Sequence, residues 1–174
     1  GFEVGALSDA ERQLAEEIFR VMVKDAEVRV REALAQNLKE NPYIPHDVAI
    51  SLAEDVEQVA LPVLLLSDVL TDDDLIAIIS SQSPEKQVAI ARRPSVSENV
   101  SDALVETGNE EAVTSPVSNE GAEISERSLL KVVDDLGDRE SIQDAMVHRG
   151  KLPVTVSERL VTMVSEKFAA DLIG

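Results

Sequence analysis

Val96-Ser97-Glu98-Asn99-Val100-Ser101-Asp102-Ala103-Leu104-Val105 is the stretch whose reading decides the fold. It opens on an apolar anchor followed by a serine, a residue type that starts helices by accepting a bond from the first free N–H groups. It closes on an apolar pair, Leu104 and Val105, eight and nine residues beyond the anchor. The same frame recurs at Ile44-Pro45, Leu70-Thr71, Ile124-Ser125 and Leu152-Pro153, so that successive anchors stand 26, 26, 28 and 28 residues apart. Eight residues beyond the anchors come Leu52, Ile78, Leu104, Val132 and Leu160, and nine beyond come Ala53, Ile79, Val105, Val133 and Val161. Every one is apolar. The residue after each anchor is Pro, Thr or Ser, all of which begin helices. Each anchor therefore opens a helix, designated B, whose two apolar positions are expected in the core.

Upstream of each B helix the sequence starts another short helix, A, at Asp25-x-Glu27, Asp55-x-Glu57, Ser83-x-Glu85, Gly108-x-Glu110 and Asp138-x-Glu140. A cap followed by a first-turn glutamate satisfies the orphan donors and places negative charge at the positive end of the helix dipole. Asn41-Pro42, Arg93-Pro94 and Arg149-Gly150 mark tight turns between A and B. Before the repeats, Ser8-Asp9-Ala10-Glu11 reads as a capping box. Leu14, Ile18 and Met22 with Ala15, Phe19 and Val23 form the apolar face of the helix that follows.

A two-helix unit of this size cannot bury its own apolar face, and neighbouring units must cover it. The expectation is an all-α chain: an α-solenoid of about five two-helix HEAT-like repeats with an N-terminal cap helix. The cap takes residues 1–24 and the repeats 25–174, as a single domain overall. Pro62 and Pro116, each eight residues before an anchor, should bend the second and fourth A helices. The stretch Thr107 to Glu123 is poorest in helix formers, so the fourth A helix should be the least stable.

Composition agrees with short stacked helices. Of 174 residues, 44% are hydrophobic but only 2% aromatic, so the core must come from Ala, Val, Leu and Ile. Sixteen basic against 34 acidic residues leave a formal charge of −18, which argues against nucleic acid or an anionic membrane surface as a partner. The absence of cysteine excludes disulfides, thiolate metal sites and cysteine nucleophiles, and is compatible with the cytoplasm. The longest apolar run, Val59 to Leu66, is too short to span a bilayer. No basic start followed by an apolar stretch marks a secretory signal.

Several runs in order resemble an uncharacterised bacterial family, domain of unknown function 2336 (DUF2336). They are Ala91-Arg92-Arg93-Pro94-Ser95-Val96-Ser97, Gly108-Asn109-Glu110-Glu111-Ala112-Val113, Gly121-Ala122-Glu123-Ile124-Ser125-Glu126-Arg127, Val147-His148-Arg149, Leu152-Pro153 and Glu158-Arg159-Leu160-Val161. The resemblance extends from about Asp25 to the C-terminus. More distantly, Asp25-Ala26-Glu27-Val28-Arg29 with Ala33 and Leu34 is similar to the opening of a HEAT repeat. The family resemblance implies a helical-repeat fold in bacterial cytoplasmic proteins and brings no reaction and no catalytic residues. Pro116 within Thr114-Ser115-Pro116-Val117 departs from the regular helical segment expected there.

Residues with catalytic potential are few. His46 and His148 are the only histidines, and no HExxH pair exists. Asp144 and His148 stand four apart with Ser141 a turn earlier, but three groups along one helix face cannot aim an imidazole at a hydroxyl while an acid holds its far side. Asp72-Asp73-Asp74 falls at a B-helix start, where acids suit the dipole, and lacks the glycine and distant glutamate of a calcium loop. Gly-rich phosphate motifs are missing. The sequence thus supports no catalytic, cofactor-binding or metal-binding residue, and the chain reads as no enzyme.

What remains is surface. The edge joining each B helix to the next A carries Glu54, Asp55, Glu57, Glu106, Glu110, Glu111, Asp134, Asp135, Asp138 and Glu140. The opposite edge carries Arg92 and Arg93 in the third repeat and His148, Arg149 and Lys151 in the fifth. These cations either complement the A-helix C-termini or form a ridge for an acidic partner. In the last helix Leu160, Val164, Phe168 and Leu172 recur every four residues and run beyond the length of the earlier B helices. Phe168 and Leu172 either fold over the fifth repeat as a cap or meet a second copy or a further segment. The expected role is a non-enzymatic protein–protein scaffold or adaptor. A regulatory or sensory module whose curvature answers to a partner, and an enzyme with a site in the groove, are the alternatives. The expected partners are proteins, including a second copy through the C-terminal helix as a homodimer.

Overall fold

A computed structural model describes residues 8–81 and 83–173. The first seven residues of the N-terminal cap segment lie outside the described residues. Among the described residues the chain is all-helical, with eleven helices: α1 (Asp9–Asp25), α2 (Val28–Leu38), α3 (His46–Ala53), α4 (Glu57–Leu66), α5 (Asp72–Ser81), α6 (Pro84–Ala91), α7 (Glu98–Glu106), α8 (Glu110–Ser118), α9 (Glu126–Leu136), α10 (Glu140–His148) and α11 (Val154–Ile173). The even-numbered helices from α2 onward are the A helices, and α3 to α11 at odd numbers are the B helices.

Two compact units divide the chain, residues 1–94 and 95–174. In the first, α2, α4 and α6 pack side by side in one layer, while α1 lies against α3, and α3 and α5 pack against α4 and α6 respectively. In the second, α8 packs on α10, and α7, α9 and α11 form the facing row. The second core gathers Val105, Val113, Val117, Leu129, Val132, Val133, Ile142, Met146, Val156 and Leu160, mostly aliphatic as the composition requires. The loop before α7 meets the loop before α9 through a single parallel bridge. In it the Val96 N–H donates to the Gly121 carbonyl at 3.0 Å and the Glu123 N–H to the Val96 carbonyl at 2.9 Å.

The repeat frame is visible in burial. Leu52, Ala53, Ile78, Ile79, Leu104, Val105, Val132, Val133 and Leu160 are all buried, as the spacing predicts. Val161 is the exception at 64% exposed, on a side of α11 that no other described helix covers. The helix starts after the anchors also match. Ser97 and Ser125 accept from the N–H groups three residues on, Pro45 is the N-cap of α3, and Thr71 exchanges reciprocal bonds with Asp74.

The A-helix starts need correction. Ser83 does cap α6, but α8 is capped by Asn109, and α2, α4 and α10 follow Glu27, Val56 and Arg139 without a side-chain cap. Asp25 ends α1, and Gly108 supplies the left-handed position, φ 67°, that turns α7 into α8. In α1 the Ser8 side chain caps the helix, its hydroxyl accepting from the Glu11 N–H at 3.3 Å and donating to the Glu11 carboxylate at 2.8 Å. Ala15, Phe19 and Val23 face the core, whereas Leu14 and Ile18 are exposed. Pro62 and Pro116 sit inside α4 and α8, and both helices continue through them.

Candidate interaction surface

The charges at the helix ends fall into two kinds, those that hold helices together and those left to solvent. At the junction of α2, α3, α4 and α6, Arg31 forks onto Asp55 with bonds of 2.6 and 3.0 Å and reaches back to the Ala26 carbonyl at 2.5 Å. Lys86, only 3% exposed, donates to the carbonyls of Ala53 at 3.1 Å and Asp55 at 2.6 Å, at the C-terminal end of α3. Burial pushes the Lys86 ammonium down, against the opposing pull of Asp55, Glu57 and Glu54. Burial also pushes the Asp55 carboxyl up. The Arg31 fork, the Val56 N–H and the Lys86 charge outweigh it, so the group lies below the ordinary carboxylate range. An open groove of about 680 Å³ runs past this cluster, lined in part by Asp55, Glu57, Leu61, Ser83 and Lys86.

Arg93 and Arg149 occur three residues before their anchors, and each is turned inward. Arg93 is 8% exposed and donates to the Leu64 carbonyl at 2.5 Å and the Ser67 carbonyl at 2.7 Å, capping the end of α4. Arg149, half-buried, donates to the carbonyls of Pro116, Val117, Asn119 and Ala122 at 2.6 to 3.3 Å, around the end of α8. Burial lowers both guanidinium pKa values, yet arginine stays charged. The cationic ridge expected from the sequence is corrected accordingly: Arg93 and Arg149 satisfy the last carbonyls of the preceding, proline-bearing A helix, and only Arg92, His148 and Lys151 remain exposed.

Ser141, Asp144 and His148 are not brought together as a catalytic set. The Ser141 hydroxyl donates to Glu110 at 2.6 Å, while His148 stays on its own helix, 2.8 Å from the Asp144 carbonyl and 3.3 Å from its carboxylate. Asp74 is engaged by the Thr71 N–H and by His46, each at 2.7 Å, and no group of three or more potential metal ligands is assembled among the described residues. Of the ten acids on the B-to-A edge, all but Asp55 are exposed. In the second unit a groove of about 540 Å³ between α9 and α11 carries Glu126, Lys131, Asp134, Asp135 and Arg159, with Lys131–Asp135 and Arg159–Asp134 paired across 2.9 and 2.8 Å.

The last helix, α11, is 20 residues long against 8 to 11 for the other B helices of the repeats. Only Val156 and Leu160 along it are buried. Phe168 is 65% and Leu172 73% exposed, so within this chain they do not fold over the fifth repeat.

Reading the sequence missed the Arg31, Asp55 and Lys86 junction. Lys86 carries a signal that could have found it: a cation in the first turn of a helix opposes that helix's dipole, and such a residue is better placed against another helix's C-terminus.

The model of a protein family described as uncharacterised and conserved in bacteria, DUF2336, matches residues 59–173. No curated protein and no solved structure matches the chain. Among the described residues no helix is long and apolar enough to cross a membrane.

Proposed function

We propose, from the premise that the chain belongs to the bacterial DUF2336 family, that it is a protein–protein interaction scaffold of the α-solenoid type, built from HEAT-like helix pairs and working in the cytoplasm. The observation that carries this reading is the division of labour among the charges. Inward cations tie each A helix to an earlier helix end, Arg93 and Arg149 to the preceding A helix and Lys86 to the end of α3, while the B-to-A edge keeps nine acids exposed. Similar helix pairs with internal locks offer a surface whose exposed side chains can meet a partner without the helices coming apart. The grooves support no reaction as strongly, since Asp55, Lys131, Asp134, Asp135 and Arg159 in them are already paired and Lys86 already holds a helix end.

The experiment is affinity capture from a bacterial cytoplasmic extract with mass-spectrometric identification, using wild type and two surface variants. One reverses Glu106, Glu110 and Glu111 to Lys, and the other reverses Arg92 and Lys151 to Glu. A scaffold retains a defined protein in the wild-type eluate and loses it with one of the two reversals while helicity is unchanged. Identical eluates from the wild type and both variants would sink the proposal.

A further inference from the structure

We infer that the chain carries two copies of one three-helix module, α4 to α6 and α8 to α10, each closed by an arginine latch, and that the second latch lets the end of α8 open while the other helices stay folded. The copies show first in sequence. Glu57-Gln58-Val59-Ala60-Leu61-Pro62-Val63 in α4 returns 54 residues on as Glu111-Ala112-Val113-Thr114-Ser115-Pro116-Val117 in α8, with Glu, Val, Pro and Val at matching places. Ala89-Ile90-Ala91-Arg92-Arg93 returns 56 residues on as Ala145-Met146-Val147-His148-Arg149, and Gln87 returns as Gln143. The A helices between and around them, α2, α6 and α10, have no proline in their interiors. The period is therefore two helix pairs, not one.

The contacts repeat as well, each set inside one compact unit. In both modules the first A helix packs on the second, α4 on α6 and α8 on α10. The Gln87 side-chain amide donates to the Ile79 carbonyl at 2.9 Å, near the end of α5, and that of Gln143 to the Gly137 carbonyl at 2.8 Å, at the end of α9. Arg93 and Arg149 then reach from the turn after the second A helix to carbonyls at the end of the first. A latch is needed there. The last carbonyls of a helix have no partner within it, and a proline removes one more N–H. A guanidinium supplies several donors in one plane and a positive charge that suits a helix C-terminus. Its bonds close over 26 to 33 residues of chain, so they form only when both A helices and the B helix between them are in place.

The two latches differ in depth. Arg93 is buried, at 8% exposed. Arg149 is half-buried, its Nε is shielded with no partner among the described residues, and the exposed Glu120 beside it is a competing partner at the surface. The helices they hold differ too. Thr114, Ser115 and Ser118 stand in α8 where α4 has Ala60, Leu61 and Leu64, which are better helix formers. Arg149 also holds the Asn119 and Ala122 carbonyls of the loop before α9, and that loop bonds to Val96 at the start of α7 through Gly121 and Glu123. Release of this one guanidinium thus frees the end of α8 together with the loop on which α7 and α9 begin.

Native-state hydrogen exchange on the whole chain, read by mass spectrometry in urea well below the unfolding midpoint, tests both latches. In wild type the amides of residues 119–123 should exchange about tenfold or more faster than those of residues 65–69, through a local opening that exposes little surface and so depends weakly on urea. Arg149→Met should speed exchange at Val96 and residues 119–123 by about a further tenfold and leave residues 65–69 within about twofold. Arg93→Met should do the reverse, and Arg92→Met and Lys151→Met, at exposed neighbouring positions, should move neither segment. Equal protection of the two segments in wild type, exchange at 119–123 that follows global unfolding in urea, or an Arg149→Met variant in which exchange quickens evenly along the chain would each overturn the inference.

Discussion

Arg31 holds Asp55 through two nearly parallel bonds of 2.6 and 3.0 Å, joining the start of α2 to the loop between α3 and α4. The pair is largely shielded, with side-chain exposures of 17 and 9%. Its carboxyl lies below the ordinary range, so its stabilising effect is fully present above the unfolded value of about 4 and is lost as pH falls through the lower, folded value. Asp55→Asn should destabilise the protein by about 2 kcal/mol at pH 7. Urea titrations of wild type and variant should converge as pH drops below about 4; a constant difference at every pH would show that Asp55 acts through packing rather than charge.

Lys86 lies on α6 but serves α3. Lys86→Met keeps the stem and removes the donors to Ala53 and Asp55, leaving two carbonyls at a shielded helix end with one partner fewer. A loss of about 1 to 3 kcal/mol is expected in denaturant unfolding. Glu85→Met, one residue earlier and exposed, should stay within about 0.5 kcal/mol. Equal effects from the two would remove Lys86 from its bridging role.

Arg93 reaches two carbonyls with two separate guanidinium nitrogens held in one planar fork. Arg93→Lys should therefore lose about 2 kcal/mol despite keeping the charge, because a single ammonium on a flexible stem replaces a fork that reaches Leu64 and Ser67 at once. Full retention of stability by the lysine variant would reduce the contact to charge alone.

The repeat frame gives a paired test at two frame positions of opposite exposure. Leu104, with no exposure, should lose about 2 to 5 kcal/mol as Leu104→Ala by leaving a cavity. Val161 holds a frame position whose equivalents are buried, yet Val161→Ala in dilute protein should change stability by less than about 0.5 kcal/mol. A large loss at Val161 would mean that its face is covered within the monomer.

These contrasts show what can be read from sequence. Leu52, Ile78, Leu104, Val132 and Leu160 were legible because burial imposes a period on apolar residues, and a period needs no knowledge of partners. Helix starts were legible where a side chain caps its own helix, as Ser97 and Ser125 do, and were misplaced at Asp55, whose carboxylate is held by Arg31. Arg93 and Arg149 look like surface cations in sequence, because the carbonyls that receive them belong to the backbone and leave no residue type as a trace. The exposed stripe of α11 was visible in outline, since Leu160, Val164, Phe168 and Leu172 continue at helical spacing past the length of the earlier B helices.

Gly137 closes α9 with φ −65°, a conformation open to any residue, so space rather than backbone freedom requires glycine there. A Cβ would stand 2.3 Å from the Val133 carbonyl oxygen and 2.6 Å from the Met163 sulfur on α11. The thioether can rotate away, but the carbonyl is fixed by accepting the Gly137 N–H at 2.9 Å. Gly137→Ala should therefore open the last turn of α9 and destabilise the protein by about 1 to 3 kcal/mol. If the backbone oxygen is the obstacle, the penalty stays within about 0.5 kcal/mol of the same value in a Met163→Ala background; if the sulfur is, the penalty largely vanishes there. Urea midpoints for the four proteins of this cycle decide between the two. A neutral Gly137→Ala would mean that α9 ends less tightly against α11 than these distances require.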